Sequence, residues 1–214
     1  MMDKTQSYLP AAGHDVFLPF YDLITKVIGA DRVRQEFLLE PRLEFGQRVL
    51  DVGCGTGTLA VLLKKRNPQV EVLGLDPDPK ALARARKKAQ RAGVSVDFVQ
   101  GFADRIDQAP AWFDHVYSSF MFHHLDAATK QAMLREVRRV LKPGGRLHLL
   151  DFAGPENGQG FLSRRLHSHH RIKDNSPSYI LKLLNDAGFA HARLVGSRSV
   201  LLGIGKAAYY EART

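Results

Sequence analysis

The stretch that decides the fold is Val49-Leu50-Asp51-Val52-Gly53-Cys54-Gly55-Thr56-Gly57. Its first four residues have the composition of a buried strand, and the apolar period of a helix begins at Leu59. Alternating glycines lie at the junction, where they allow positive φ angles and a close approach of the backbone to a ligand. The segment therefore predicts a ligand-binding loop at the carboxyl end of a strand.

The spacing of these glycines distinguishes two kinds of nucleotide-binding loop. Dinucleotide sites carry G-x-G-x-x-G, whereas this chain has G-x-G-x-G, with Asp51 two positions before the first glycine. That pattern resembles motif I of the class I S-adenosylmethionine-dependent methyltransferases. The resemblance implies S-adenosylmethionine as cofactor and S-adenosylhomocysteine as product. It also implies that the cofactor-binding residues include Asp51, Gly53, Cys54, Gly55, Thr56 and Gly57.

Length and composition are those of one soluble, folded domain. The chain has 214 residues, of which 44% are hydrophobic and 25% charged, and this excludes a disordered or fibrous protein. There is no apolar run of about 18 residues that would span a membrane, and Met1–Ser7 lack the apolar core of a signal peptide. A single cysteine, Cys54, excludes an internal disulfide. We therefore expect a cytoplasmic location.

The formal net charge of +9 raises the question of an anionic partner. The densest basic cluster has helical spacing opposite an apolar stripe, and consists of Lys80, Arg84, Lys87, Lys88 and Arg91. We interpret this cluster as a solvated outer face. Contact with phosphates or with an anionic membrane surface remains an alternative.

Alternating strand and helix patterns predict a parallel, doubly wound sheet. The predicted strands are 48–52, 71–75, 96–100, 115–118 and 146–151, and the helices between them are 58–66, 79–92 and 127–141. After a helix from Ser176 to Gly188, two strands at 192–198 and 201–211 are so close that they must form an antiparallel hairpin. A sheet closed in this way resembles the methyltransferase fold, which implies seven strands in the order 3-2-1-4-5-7-6.

We expect a single domain of residues 1–214 in three parts. Residues 1–44 form an N-terminal helical cap, with one amphipathic helix at Val16–Val27 and a second that is capped by Asp31 and runs through Leu39. Residues 45–152 form the cofactor-binding core, and residues 153–214 the C-terminal helix and hairpin. The apolar residues of the cap are expected to pack on the core, and lining of a hydrophobic substrate pocket is the alternative.

Further cofactor-binding residues follow from the same resemblance. Asp76 ends the second strand about 20 residues after the glycine loop, where an acidic side chain accepts hydrogen bonds from ribose hydroxyls; capping of the next helix is the alternative role. Pro77 would lie against the adenine. Family members commonly have an acidic residue after the glycine that follows strand three, but this chain has Phe102, so either Phe102 or Asp104 would contact the adenine. The remaining implied cofactor contacts are Gly101, Ala103, Ser118 and Ser119.

The segment Phe113–Leu125 indicates the class of acceptor. Together with Leu134–Gly145 it is similar to the small-molecule branch of the family, which includes the quinone-biosynthesis C-methyltransferases. Amino-directed nucleic-acid methyltransferases carry Asn/Asp-Pro-Pro-aromatic here, and Ser118–Met121 does not match. The resemblance thus implies methyl transfer to a small, hydrophobic acceptor. Methylation of RNA or a phospholipid headgroup is one alternative, and a catalytically inactive cofactor-binding module is another.

Histidines are the candidates for acid–base chemistry. His123 and His124 follow the fourth strand at the pocket end of the sheet, and one of them would accept a proton from the acceptor if the reaction requires a base. A structural hydrogen bond is the alternative role for each, and His14 and Tyr21 are weaker candidates. We expect no metal at His167–His170, because the neighbouring basic residues oppose a cation and no zinc-binding spacing is present.

Overall fold

The computed structural model describes residues 30–39, 42–155, 175–200 and 205–214. Within these residues the chain forms one seven-stranded sheet in the order β3-β2-β1-β4-β5-β7-β6. The strands are β1 Arg48–Val52, β2 Glu71–Asp76, β3 Asp97–Gln100, β4 Phe113–Ser119, β5 Leu141–Ala153, β6 Ala190–Val200 and β7 Gly205–Arg213. Strands β1 to β5 are parallel, and β7 runs antiparallel to both β5 and β6. The strand order and the terminal hairpin confirm the predicted fold.

Five helices of the described chain cover the two faces of this sheet. They are α1 Ala30–Leu38, α2 Thr58–Arg66, α3 Pro79–Arg91, α4 Ala127–Val140 and α5 Pro177–Asp186, and a short 3₁₀ turn spans Phe122–His124. One apolar core lies against α1, α2 and α3, and the other lies against α4 and α5. Since parallel strands between two helical layers are buried on both faces, the polar side chains that can meet a ligand lie at the carboxyl ends of the strands.

Short-range polar contacts fix where the helices begin. Asp78 caps α3 by accepting a hydrogen bond from the backbone N–H of Lys80, and Asp126 does the same for Thr129 in α4. Ser176 caps α5, which begins at Pro177, one residue after the predicted start, and ends at Asp186, two residues before the predicted end. Helix α4 ends at Val140, one residue earlier than predicted, because β5 begins directly after it.

The Lys142-Pro143-Gly144-Gly145 segment forms a loop within β5 instead of a separate connection between helix and strand. Leu141 pairs with Phe113, and pairing resumes between Arg146 and His115. The loop is anchored by the Lys142 ammonium, which donates to both carboxylate oxygens of Asp114 at 2.8 and 2.9 Å. Glycine is required at position 145, where a Cβ would lie 2.8 Å from the backbone oxygen of Lys142.

Several predictions lie outside the described residues. These are the helix at 16–27, the cap residues His14 and Tyr21, and the cluster His167–His170. The division into cap, core and C-terminal parts stays a prediction. In the part of the chain that the structure describes, no helix has both the length and the apolar character needed to cross a membrane.

A line of buried polar rings crosses the centre of the sheet. His115 Nδ1 lies 3.0 Å from His148 Nε2, and His148 Nδ1 lies 2.8 Å from the hydroxyl of Tyr209. The ring of Tyr117 stacks on His148 with centroids 4.4 Å apart. Burial lowers the pKa of His115 to about 4 and lowers the pKa of His148 well below its usual range. The fold therefore requires both imidazoles to be neutral.

This requirement predicts how the two histidines contribute to stability at acid pH. In the unfolded chain they take up protons below pH 6.5, whereas in the folded chain His115 stays neutral down to about 4. Their contribution is complete above the first value and is lost as the pH falls towards the second. We expect the free energy of unfolding of the double variant His115→Phe, His148→Leu to vary less over this interval than that of the parent. Urea titrations at several pH values measure the difference, and parallel curves for the two proteins would contradict it.

Candidate active site

The glycine loop has the geometry that its sequence predicts. Gly53, Gly55 and Gly57 have φ angles of 70°, 53° and 75°, and the backbone N–H groups of Gly53 and Cys54 both donate to the carbonyl oxygen of Leu75 at the end of β2. A Cβ on Gly53 would lie 2.3 Å from Met121 Cγ, whereas a Cβ on Gly55 would meet no protein atom within 4 Å. Gly53 is therefore required for packing, and Gly55 borders open space where a ligand can approach.

Asp76 is held at the edge of this space by two backbone amides. Its Oδ2 accepts from the N–H of Gly55 at 2.8 Å, and its Oδ1 accepts from the N–H of Asp78 at 2.9 Å. Each oxygen keeps a further lone pair for a ligand hydroxyl. Burial raises the pKa of Asp76 despite these hydrogen bonds. The helix cap is Asp78, so capping does not account for Asp76.

Asp51 is a second buried carboxyl group, beneath the glycine loop. The residue is 1% exposed, and its Oδ2 has no hydrogen-bond partner in the described part of the chain. Burial raises the pKa of Asp51 to about 7, although the nearby Arg34 guanidinium acts in the opposite direction. A buried carboxylate beside the cleft favours a cationic ligand group there through electrostatic attraction, without a direct contact.

Arg34 brings a positive charge from α1 to the same place. Its Nε donates to Ser119 Oγ at 3.0 Å, and its Nη1 donates to Asp31 at 2.7 Å. The guanidinium also lies 5.0 Å from the ring centroid of Phe120. The side chain is almost completely buried, so its orientation is fixed before any ligand binds. This arrangement suits recognition of a carboxylate.

These side chains meet in one cleft at the carboxyl ends of β1, β2 and β4. It is lined by Arg34, Gly53, Cys54, Gly55, Thr56, Thr58, Leu59, Asp76, Ser119, Phe120, Met121 and His124. The structure thus brings together the glycine loop, Asp76, Ser119 and one of the two predicted histidines. Asp51, Gly57 and Ser118 do not line the cleft, and Gly57 instead packs against Ala85 and Phe98.

The residues predicted at the adenine end lie apart from this cleft. Gly101 and Phe102 border a second cavity with Ile106, Glu136 and Arg139, and Ala103 packs at the edge of the core. The carbonyl oxygen of Pro77 accepts a hydrogen bond from Gln100 Nε2. An adenine contact from Pro77, Gly101, Phe102 or Ala103 therefore stays a prediction.

The two predicted histidines have different surroundings. His123 is buried, and its Nδ1 lies 2.6 Å from Oδ1 of Asp151 at the end of β5. His124 lines the cleft, and the two imidazole centroids are 4.0 Å apart. The ring of His123 also contacts Phe152 edge-on at 5.0 Å.

Sequence reasoning missed two charged residues of this region. Arg34 reaches the cleft from a helix of the predicted cap, and its sequence position gave no signal because surface helices carry many arginines. Asp151 had a detectable signal, since an acidic residue that ends an apolar strand resembles Asp76. Among the described residues, no three His, Cys, Asp or Glu side chains come together to hold a metal ion.

Comparison with known proteins gives the family. A family model described as a methyltransferase domain matches residues 49–145. A demethylmenaquinone methyltransferase of Deinococcus radiodurans is 41% identical over 71% of this chain and 64% of its own length. Another, from Thermus thermophilus, is 38% identical over 70% of this chain and 68% of its own length. The chain belongs to the class I S-adenosylmethionine-dependent methyltransferase family.

Structural comparison supports the fold of this family member. Phosphoethanolamine N-methyltransferase 2 of Haemonchus contortus superposes with a TM-score of 0.79 and 16% identity. The match covers 100% of this chain and 61% of that protein. The chain spans about two thirds of the length of the two curated relatives. These matches confirm the predicted family and fold class.

The loop geometry predicts which glycine contacts the cofactor. We expect Gly55→Ala to lower affinity for S-adenosylhomocysteine at least tenfold, because the new Cβ enters the open space of the cleft. Gly93→Ala is a matched control, since Gly93 also has a positive φ of 66° and a Cβ there would meet no protein atom within 4 Å, but it lies at the end of α3. Both variants carry a strain of about 1–2 kcal/mol.

Calorimetric titration and thermal melting separate the two effects. Similar losses of thermal stability are expected for both variants, with a loss of affinity for Gly55→Ala alone. Equal affinities would mean that Gly55 faces away from the cofactor.

Proposed function

We propose that the chain transfers a methyl group from S-adenosylmethionine to a small hydrophobic acceptor of the quinol type. The observation that carries this proposal is the convergence of the glycine loop, Asp76, Arg34 and His124 in one cleft. The names of the two curated relatives support the acceptor class. The single cysteine supports a cytoplasmic location.

The residues of the cleft fit the polar groups of the cofactor. Asp76 would accept hydrogen bonds from the ribose hydroxyls through the lone pairs that its two backbone amides leave available. Arg34 would pair with the carboxylate of the methionine part, and the charge of Asp51 would balance its ammonium group. Gly55 would allow the backbone to approach, and Ser119 would keep Arg34 in place. When bound, the cofactor supplies an electrophilic methyl group on a sulfonium leaving group.

The remaining task of the protein is to align the acceptor and exclude water. Phe120 and Phe152 lie at the ends of β4 and β5, with ring centroids 4.9 Å apart. Their aromatic surfaces suit a flat hydrophobic acceptor. Phe120 has a φ of 53°, which is unfavourable for a bulky side chain and places it next to the cleft. The site would thereby select apolar acceptors over phosphorylated ones.

An acceptor panel tests the proposal. The purified protein is incubated with S-adenosylmethionine and a short-chain naphthoquinol, a benzoquinol, phosphoethanolamine or RNA, and S-adenosylhomocysteine is measured. We expect formation above background only with a quinol. If only RNA or only phosphoethanolamine is methylated, that compound would be the acceptor class and the quinol assignment would be wrong. Tight binding of cofactor without turnover of any acceptor would favour a catalytically inactive binding module.

The raised pKa of Asp51 predicts a pH-dependent affinity for the cofactor. The carboxyl group has a pKa of about 7 in the free protein, and the ammonium group of the ligand favours its ionised form. Binding below that pH must therefore release a proton, and affinity falls by up to about tenfold for each unit of pH below it. Calorimetry with S-adenosylhomocysteine between pH 5.5 and 8 is expected to show this decrease. The Asp51→Asn variant should lack it, and an unchanged pH dependence in that variant would exclude Asp51 as its source.

The basic face of α3 provides a test against anionic acceptors. Arg84, Lys87 and Arg91 are exposed, but Lys88 donates hydrogen bonds to the hydroxyls of Thr56 in the glycine loop and Thr58 at the start of α2. The prediction that all five basic residues form a solvated face is therefore wrong for Lys88. We expect the triple variant Arg84→Glu, Lys87→Glu, Arg91→Glu to keep turnover within about threefold, since exposed substitutions perturb little.

A large loss of turnover in this variant, with cofactor affinity intact, would indicate that α3 docks a polyanion or an anionic membrane. Salt dependence distinguishes these cases from a folding defect, because phosphate contacts weaken steeply as ionic strength rises. Peripheral contact with a membrane would also be compatible with a hydrophobic acceptor.

A further inference from the structure

The carboxylate of Asp151 is hydrogen-bonded to the ring of His123 and to two backbone amides. Its Oδ1 accepts from the backbone N–H of Phe152 at 2.6 Å and lies 2.6 Å from His123 Nδ1. Its Oδ2 accepts from the backbone N–H of His123 at 2.9 Å. The side chain is 2% exposed. Although burial acts in the opposite direction, His123 and these hydrogen bonds keep the pKa of Asp151 below its usual range.

An ionised carboxylate at Nδ1 determines the state of the imidazole. Because the carboxylate can only accept, Nδ1 must carry a proton, and the neutral ring then has its lone pair on Nε2. Among the described residues no group bonds to Nε2, and this atom is not one of the sealed, unpaired polar atoms of the core. His123 is therefore held with a basic nitrogen available.

The ring is also held in position by its neighbours. Phe152 contacts it edge-on, and His124, which lines the cleft, lies 4.0 Å away by ring centroids. The Nδ1 edge of the His123 ring thus faces Asp151. The next residue on the same turn, His124, borders the cofactor cleft. This places His123 between the end of β5 and the cleft.

Other charged groups nearby have partners of their own. Arg34 on α1 is paired with Asp31 and lies over Phe120. Lys130 on α4 donates to Asn175 Oδ1 at 2.5 Å and lies over the ring of Phe122. His124 is the titratable neighbour on the same turn. Among these groups, Asp151 is the one with a direct hydrogen bond to the His123 ring.

We propose that Asp151 is a positioning residue that holds His123 in the Nδ1-protonated form, so that Nε2 removes the proton which the acceptor loses during methylation. This inference rests on the proposed function. The acceptor atom forms a bond to the methyl carbon while the carbon–sulfur bond breaks and its electron pair goes to sulfur. The acceptor proton moves to Nε2, and the resulting imidazolium is stabilised by Asp151 until water takes the proton.

The first test needs neither cofactor nor acceptor. Nitrogen-15 correlation spectra of the histidine rings report which nitrogen carries the proton. In the parent protein at pH 8 we expect His123 to be protonated on Nδ1. In Asp151→Asn the amide can turn its NH₂ towards the ring, so the proton is expected on Nε2. A parent spectrum with the proton on Nε2 would overturn the proposal even if no acceptor had been found.

Steady-state kinetics with a quinol that the protein methylates provide the second test. We expect Asp151→Asn to lower kcat about 100-fold, in the range of general-base catalysis, with KM and S-adenosylhomocysteine affinity changed less than threefold. The acidic limb of the kcat profile should also move to lower pH by about one unit, because the imidazolium has lost its counter-ion. His123→Gln should remove this limb altogether. Asp114→Asn is the matched control, since Asp114 is hydrogen-bonded but lies at the opposite end of β4, and we expect unchanged kcat.

The possible outcomes distinguish a positioning role of Asp151 from a purely structural one. They also distinguish failure of this inference from failure of the proposed function. A loss of kcat in Asp151→Asn without movement of the limb, or removal of the limb by His124→Gln instead, would assign Asp151 to folding and overturn the inference. If Asp151→Asn fails to fold, the parent spectrum and His123→Gln still decide. If no acceptor is methylated, the proposed function fails, while the spectrum continues to test the proton position.

Discussion

The site depends on the hydrogen bond from the Gly55 N–H to the Asp76 carboxylate. This contact joins the loop after β1 to the end of β2 at 2.8 Å, and the N–H groups of Gly53 and Cys54 add two bonds to the carbonyl oxygen of Leu75. Without these acceptors the three amides would have no partner among the described residues, and leaving the buried amide of Cys54 unsatisfied would be costly. These bonds hold the loop in a conformation that leaves a space beside Gly55. The same contacts that stabilise the fold thus preorganise the cleft.

Electrostatics in the cleft work against stability. Asp51 and Asp76 are both buried, and burial raises the pKa of each. Arg34 supplies one compensating charge, but Asp51 keeps an oxygen without a partner among the described residues. Such an imbalance is typical of a binding site whose ligand carries the missing group. Asp151 differs, because His123 and two backbone amides satisfy it within the protein.

The sequence predicted the sheet well because its signals are local. Apolar runs gave strands within a few residues, and the glycine spacing identified the loop with its acidic partner at Asp76. The position of Arg34 depends instead on how α1 packs against the end of β4, and a helical arginine carries no pattern that reports this. The dyad of His123 and Asp151 joins residues 28 apart in sequence, and only the parallel pairing of β4 with β5 brings them together. Lys88 was misplaced for a related reason, since helical spacing gives the exposed face but not the contacts at its border.

The loop at Lys142–Gly145 determines where β5 can gain or lose residues. Side chains alternate between the two faces of a strand, so an insertion of one residue within the paired part of β5 would turn Asp151 away from His123. The unpaired residues opposite Asp114 can take up such a change, while the ladder from Arg146 onwards keeps its register with β4. We therefore expect the fold to accommodate insertions and deletions at the amino end of β5 better than in its carboxyl half. The chain can change length far from the cleft without altering which side chains reach it.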